Sequence, residues 1–487
     1  MVVAKKHHEL YEQLGSIVGA RYVTDDYGVL MTYTRDASVF PPKKPQGAVV
    51  RPGSVDEVVE LVRLANQTRT PLIPMGGKAS ISGVPPGQPG RGIIVDMRRM
   101  DKVINIDEEN QAVTAQCGIT LGELAGKVEE KGWCLNTAAQ PHYIDTIGGH
   151  ISGIPGGGLG RYGFSTGFNW HSIIGMKVVL PDASVVDAGT GEGSLSTYRG
   201  TTWARCMHGP DFTGIFIGDG GIYGIKVEAT YRIFRQPKFK KGGARCWDVD
   251  NLDQTFKAFM ELWETDPYLF MQRMATGMIL SPEVMAILDP TAEPKWLIFF
   301  TNLGETQEEV DLKTKMTDKI CAKHGGKAAD PSIVAGTEKF IDAIQDMGRM
   351  ATYGQFPLHE LMVSRRDIEE CYKWAREYVI GSFRERGIDK TRYQLVSPCL
   401  FAEPGHGMIG VTPMIDQSDE ELNRNAYEMM VEFLEQAMRR GYVPEGSQGH
   451  ESRLKARQWT PEFYSFAMML KKTLDPNNIM NPGVYFP

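Results

Sequence analysis

Three glycine-rich stretches in the first half of the chain carry the residue types and spacing that could do chemistry. They are Pro74-Met-Gly-Gly-Lys-Ala-Ser-Ile-Ser-Gly83, Thr146-Ile-Gly-Gly-His-Ile-Ser-Gly-Ile-Pro-Gly-Gly-Gly-Leu-Gly-Arg-Tyr-Gly163 and Ile217-Gly-Asp-Gly-Gly-Ile-Tyr-Gly-Ile225. Each is flanked by β-rich apolar sequence. Glycine lets the backbone approach a ligand closely and adopt positive φ, and a run of such N–H groups forms a concave nest for an anion. A single loop of this kind is well explained by a tight turn. Three in succession are not explained so easily by turns alone.

The elements around them must hold these loops. Ala48-Val-Val-Arg-Pro-Gly-Ser54 predicts a strand and turn, with Ser54 and Glu57 as a capping box for a helix from Val55 to Asn66. Pro71-Leu-Ile-Pro74 leads into the first loop. Strands are expected at Gly92–Asp96, Lys102–Asp107, Gln111–Cys117, Ile174–Asp187 (two, around a Pro-Asp turn) and from Lys226. A capped helix is expected from Thr120 to Lys131, and a short one over residues 9–20. Beyond about residue 236, where Gln236-Pro-Lys-Phe-Lys-Lys-Gly-Gly243 marks a boundary, helical periodicity dominates: Leu252–Glu264, Thr306–His324, Arg366–Arg386 and Glu420–Arg440. Strands such as Trp296–Thr301 and Met408–Pro413 lie between them, and a closing helix runs from Pro461 to Leu474. The expected divisions are a ligand-cradling domain over 1–235 (core 40–235), an α+β substrate or cap domain over 236–440, and a segment 441–487 that returns to the first domain.

Bulk properties fit that plan. A chain of 487 residues exceeds what one core sustains. Composition is that of a globular protein, at 42% hydrophobic and 23% charged with mean hydropathy -0.28. A net charge of -7 and pI near 5.9 argue against nucleic acid as the partner. The N-terminus has no apolar core of signal-peptide length, and no window approaches the roughly 18 apolar residues of a membrane span. The seven cysteines are scattered and never spaced Cys-x-x-Cys, which disfavours a cluster, zinc site or disulfide framework. A cytoplasmic protein is expected, one that relies on a partner to carry electrons onward.

On these residues the chain resembles the FAD-binding family shared by vanillyl-alcohol oxidase, p-cresol methylhydroxylase, D-lactate dehydrogenase and the glycolate oxidase flavoprotein subunit. The Gly76-Gly77 loop is similar to that family's pyrophosphate loop. The segment from Thr146 to Gly163 is similar to its second flavin-binding segment, and Gly218–Ile225 to its Gly-Ser-Glu-Gly-Thr-Leu-Gly-Ile stretch. The tail Leu474-Asp-Pro-Asn-Asn-Ile-Met-Asn-Pro-Gly483 resembles its C-terminal return to the flavin. The resemblance implies a two-domain α+β fold of p-cresol methylhydroxylase type and bound FAD, whose phosphates N–H nests neutralise without basic side chains. It implies cofactor contacts from Gly76, Gly77, Lys78, Ala79, Ser80, Pro141, Ile147, Gly148, Gly149, Ser152, Gly158, Arg161, Gly224, Ile225 and Asn481. Lys78 stands where some relatives carry a flavin-linking histidine, so non-covalent FAD is expected, with His142 close to the flavin. The acidic ribose partner of a Rossmann fingerprint is not evident.

A flavin at a domain interface needs a base for a substrate hydroxyl, a cation for a substrate carboxylate and a pocket that aims the C–H. Three residues of the second half answer to this. His406 lies in Phe401–Asp416, a segment resembling the strand of D-2-hydroxy acid dehydrogenases that carries two metal-binding histidines; here their positions fall at or near Glu403 and Gly410. Glu403 and His406 are therefore the candidate metal ligands. His450, in Gly446-Ser-Gln-Gly-His-Glu-Ser452, is the second candidate base, and a surface loop is the competing expectation. Arg349 could hold a carboxylate bidentately.

The expected activity is dehydrogenation of a D-2-hydroxy acid, with electrons passing to an electron-transfer flavoprotein, an iron–sulfur or cytochrome subunit, or a quinone. A 4-alkylphenol or aromatic alcohol is the alternative, although Glu445-Gly-Ser stands where that branch carries a Tyr-Arg pair. Oxygen as acceptor and a non-catalytic electron-relay subunit stay open. Ether-lipid synthesis would need a histidine cluster that residues 446–452 do not supply.

Overall fold

The computed structural model describes residues 2–36, 38, 40, 42–80, 82–135, 143–153, 172–189, 205, 210–269, 274–280, 282, 293–335, 360–396, 399–403, 405–416, 418–446 and 449–487. The described residues form four β-sheets, two from the first half of the chain, and one large sheet and a two-stranded one (Tyr393–Val396 with Thr412–Ile415) from the second. The fold is α+β, with two domains.

The first sheet has the order Val23–Thr24, Ala48–Val50, Ile93–Asp96, Leu72–Met75. Its last three strands are parallel, so the chain must cross over between Ala48–Val50 and Leu72–Met75. The crossover is the helix Val55–Thr68. Ser54 caps it by accepting from the Glu57 amide, while Glu57 reaches back to the Gly53 amide at 2.7 Å. Val58, Leu61, Val62 and Ala65 form its buried stripe. The N-terminal helix is longer than expected, Val2–Val18, and packs Leu10, Tyr11, Leu14, Ile17 and Val18 into the same core.

The second sheet is antiparallel, in the order Val103–Asp107, Ala112–Gln116, Ile225–Arg235, Ile173–Val179, Val185–Gly189, with Trp133–Leu135 pairing the far end of Ile225–Arg235. The helix Leu121–Glu129 has the full reciprocal cap of Thr120 and Glu123.

The third sheet has eight antiparallel strands, in the order Lys327–Ala328, Phe239–Asp248, Lys295–Gly304, Met274–Leu280, Cys399–Glu403, His406–Gly410, Glu360–Ser364, Val443–Pro444. Alternate residues Leu361, Val363, Ile409, Ile298 and Trp296 join the helices Leu252–Leu269, Ile368–Glu385 and Glu420–Arg439 in one core built on Phe256, Phe259, Trp263, Tyr372 and Phe433. The period of two then puts Glu360, Met362, His406 and Met408 on the opposite face. That face is the one left to meet the glycine segments. Among the described residues no helix is long and apolar enough to cross a membrane.

The chain's end returns to its beginning. After the helix Pro461–Leu474, residues 475–481 lie beside the strand Leu72–Met75: the Leu72 amide donates to Ile479 O at 2.7 Å, and the Asn481 amide to Leu72 O at 2.9 Å. Lys471 is buried and its ammonium has three acceptors, Ile222 O (3.1 Å), Met480 O (2.8 Å) and Asp475 Oδ2 (2.5 Å). That one side chain ties the closing helix, the third glycine segment and the tail together.

Candidate active site

The first glycine segment differs from the other two in what its amides do. Gly76, Gly77, Lys78, Ala79 and Ser80 lie between Leu72–Met75 and the next loop, and none of their N–H groups donates to an acceptor among the described residues. Lys78 sits in the left-handed region at φ 60, which turns the run into a concave arc. A side chain is impossible at its base: a Cβ on Gly76 would lie 1.9 Å from Thr146 Oγ1, and one on Gly77 1.5 Å from Ile144 O. The first segment therefore lies directly on the start of the second.

In the second and third segments the amides are spent on the protein. Ile147 donates to Ile119 O (3.0 Å), Gly148 to Cys117 O (2.9 Å) and His150 to Thr146 O (2.8 Å), while Thr146 Oγ1 caps Gly149 at 3.4 Å. Gly218 and Gly220 donate to Ile151 O and Ser152 O, both at 2.8 Å, stitching the third segment to the second. Asp219 is buried against Lys226 and accepts from the Gly221 amide at 2.8 Å. The Gly148 and Gly149 amides donate within the fold, where the short helix Ile147–Ser152 closes on its neighbours. Ser152 Oγ donates to Gly148 O at 2.9 Å. Gly224 and Ile225 open a strand, with the Ile225 side chain in the first core.

Two further expected residues are placed clearly. Asn481, at φ 45, is buried and donates through Nδ2 to Gly220 O at 2.6 Å, while its Oδ1 has no partner. The Lys78 ammonium donates to Thr32 O, with the charge 4.6 Å from the centre of the Tyr33 ring. Burial, followed by the Arg98 charge, lowers its pKa. Pro141, Gly158, Arg161 and Arg349 lie outside the described residues, as does His142.

The candidate bases separate. His406 begins its strand opposite Ser364, with Glu403 across the turn. Gly410, at the other end of that strand, is opposite Glu360, so His406 lies four residues along, about 13 Å at the usual strand rise. Among the described residues no group of three or more His, Cys, Asp or Glu could hold a metal ion.

His450 is not on a surface loop. It opens the helix Gly449–Gln458, and its amide donates to Ser82 O at 2.9 Å, two residues beyond the arc. Its ring stacks on Phe40 at 4.6 Å, and its Nε2 is buried without a hydrogen-bond partner. Burial, then the nearby Lys43 charge, pushes its pKa down to about 4, which leaves the ring uncharged at neutral pH.

Reasoning from the sequence missed the residues that surround this junction. Glu451 is buried and accepts from Ser82 Oγ at 3.3 Å. Glu445 N donates to Glu360 O at 2.8 Å, and the two carboxyl groups hydrogen-bond each other. Lys455, buried, donates to Glu445 O at 2.8 Å, and burial brings its pKa down to about 8. His150, whose Nδ1 is 2.9 Å from Asp145 Oδ2, lies within electrostatic reach of Glu445 from the second glycine segment. Burial pushes both Glu360 and Glu445 above the usual carboxylate range, Glu360 further because Glu445 stands beside it. Three chain regions meet here: the first loop, the cap sheet and the returning helix.

Comparison with known proteins agrees with this layout. Residues 46–189 match the family model described as FAD binding domain, and residues 244–485 that described as FAD linked oxidases, C-terminal domain. The chain belongs to the FAD-linked oxidases. It is an FAD-dependent oxidoreductase. The glycolate oxidase subunit GlcD of Bacillus subtilis is 24% identical, covering 98% of this chain and 97% of that one. The mitochondrial cytochrome-type D-lactate dehydrogenase of Arabidopsis thaliana is 25% identical over 90% of this chain and 73% of its own. In fold, the chain is similar to 4-ethylphenol oxidase from Gulosibacter chungangensis, with a TM-score of 0.84 at 16% identity over 99% of this chain and 97% of that one.

The residues present fit FAD. The arc of amides at 76–80, without acceptors among the described residues, suits a diphosphate, and the buried Oδ1 of Asn481, which has no partner among them, suits an N–H donor of the cofactor. Bound FAD supplies a two-electron acceptor to which a substrate hydride can pass.

Proposed function

We propose that the chain is a dehydrogenase that takes a hydride from the hydroxyl-bearing carbon of a small D-2-hydroxy acid, of lactate or glycolate type, and delivers the electrons to a protein or quinone acceptor. With this goes the division into a cofactor half ending at residue 235, a cap over 236–440 and a returning segment 441–487. The curated relatives that act on glycolate and D-lactate support the substrate class. One observation carries the reading. The segment Gly76–Ser80, whose amides meet no acceptor among the described residues, lies just before Ser82, which meets a seam of proton-exchanging groups drawn from the cap strand (Glu360) and the returning segment (Glu445, Glu451, Lys455). Such a junction excludes water from the reacting centre and places a proton acceptor against it.

The groups of this chain would divide the work. The amide arc and Asn481 hold the cofactor, and the face bearing Glu360, Met362 and Met408 closes over it. A proton acceptor at the seam takes the hydroxyl proton, and Arg349 is the proposed anchor for the carboxylate. A 4-alkylphenol or aromatic alcohol is the second reading. What favours it is the local charge: Glu360, Glu445 and Glu451 face Lys455, so carboxylates outnumber the ammonium where an anionic substrate would have to sit. Anaerobic mixing of the FAD-loaded protein with D-lactate, glycolate and 4-cresol tests both. Bleaching of the flavin band by either hydroxy acid is expected; bleaching by 4-cresol alone would hand the site to the second reading.

A further inference from the structure

Resting on the dehydrogenase reading above, we infer that Glu445, hydrogen-bonded to Glu360, is the base that accepts the substrate's hydroxyl proton, in place of either histidine. The placement comes from three segments far apart in sequence. Glu360 ends the cap strand at the face turned away from the cap's core, and its carbonyl accepts from the Glu445 amide at 2.8 Å. Gly446 follows at once and packs so closely on the first loop that a Cβ there would sit 1.9 Å from Ser82 Oγ and 2.0 Å from Glu451 Oε2. Glu445 is thus one residue from contact with the loop whose free amides mark the cofactor. Lys455 grips its carbonyl at 2.8 Å and fixes the backbone.

The electrostatics favour a carboxyl pair for this work. Glu445 and Glu360 are faced by Glu451, Lys455 and His150, so two neighbouring carboxylates with a third close by cannot all ionise. Both carboxyl pKa values are raised, that of Glu360 further, so a proton shared by the pair would sit on Glu360 and leave Glu445 as a carboxylate more basic than usual. A proton acceptor works best when its pKa approaches the working pH. His450 is the opposite case. Its ring is desolvated against Phe40, with Lys43 and Arg453 adding repulsion, so an imidazolium there is disfavoured. His406 is about 13 Å along the strand from Glu360.

The step balances. The C–H bond breaks and its electron pair leaves as hydride to bound FAD. The O–H bond breaks with its proton moving to a Glu445 carboxylate oxygen, and the O–H electrons close the C=O bond. The proton leaves to solvent once the electrons pass to the external acceptor.

The test uses the FAD-loaded full chain. The infrared spectrum of the wild type at neutral pH should show a protonated-carboxyl band that Glu360→Gln lacks; no such band would overturn the shared proton whatever the donor. With the donor that bleaches the wild type, Glu445→Gln should slow bleaching by about 10²–10⁴-fold at unchanged FAD content and lose the acid limb of the pH profile. Glu445→Asp should restore part of the rate and the limb. Bleaching of Glu445→Gln at the wild-type rate, or a comparable loss in His450→Gln alone, would overturn the assignment while leaving the dehydrogenase reading intact. A wild type bleached by none of the three donors would instead sink that reading and the catalytic role with it.

Discussion

The first glycine segment and the pair formed by the second and third are alike in composition and opposite in use. Between Gly76 and Ser80 no backbone donor meets an acceptor among the described residues. From Ile147 to His150 and from Gly218 to Tyr223 almost the same residue types close nearly all their donors onto neighbours, as in Gly148 to Cys117 O and Gly220 to Ser152 O. The difference follows from position. The first segment leaves the end of a parallel strand, whereas Ile147–Ser152 is a short helix packed on its neighbours and Gly218–Tyr223 leads straight into a strand. Glycine at 148, 218 and 220 lets backbone pack on backbone.

Substitutions can break or sharpen that contrast. The largest effect is expected at Gly77→Ala, whose Cβ would collide with Ile144 O at 1.5 Å. The purified protein should be colourless and should fail to take up FAD in a fluorescence titration; normal uptake would mean that the loop is not built on the second segment. Asp219→Ala should cost about 3–5 kcal/mol in urea denaturation, because it strands the buried Lys226. Any FAD loss there should track stability, unlike at the first loop. Asn481→Gly keeps the left-handed backbone and removes only the amide, so FAD affinity should fall about tenfold, roughly 1.4 kcal/mol, with little change in unfolding.

His450 provides a pH handle on the seam. Its folded pKa of about 4 lies below the ordinary histidine value, so the unfolded chain binds more protons between about 4 and 6.5. Stability should rise with pH through that window and be lost on acidification, and His450→Phe should flatten this part of the slope in thermal melts. Ser152→Ala, which removes only the bond to Gly148 O, should cost about 1 kcal/mol or less and leave FAD affinity alone. An affinity loss there would place a donor of the second segment on the cofactor after all.

Much of the scaffold was legible. Alternating apolar residues and caps such as Thr120 with Glu123 mark elements through local physics, and the structure forms them close to where the sequence predicts. The glycine segments were legible as a set, but not their division of labour, since free and spent amides look identical in a one-letter string. The seam was hidden for two reasons. Ser82 and Glu451 meet across 369 positions, so no spacing rule links them. The helix Gly449–Gln458 buries Glu451, Ser452 and Lys455, polar residues that periodicity assigns to solvent. His406 was attractive because its segment resembles a metal-binding strand, and the register places it opposite Ser364, at the other end of the strand from Gly410 and Glu360.

The bridge between Leu72 and Met480 has an implication for biogenesis. A nascent chain presents its first loop early, but the wall behind that loop is absent until residue 481 has cleared the ribosome. Vitamin-derived cargo captured during translation would therefore be held by an open vessel, and retention should begin only once Met480 has paired with Leu72. Extensions fused behind Pro487 would tug on the very stretch that locks it.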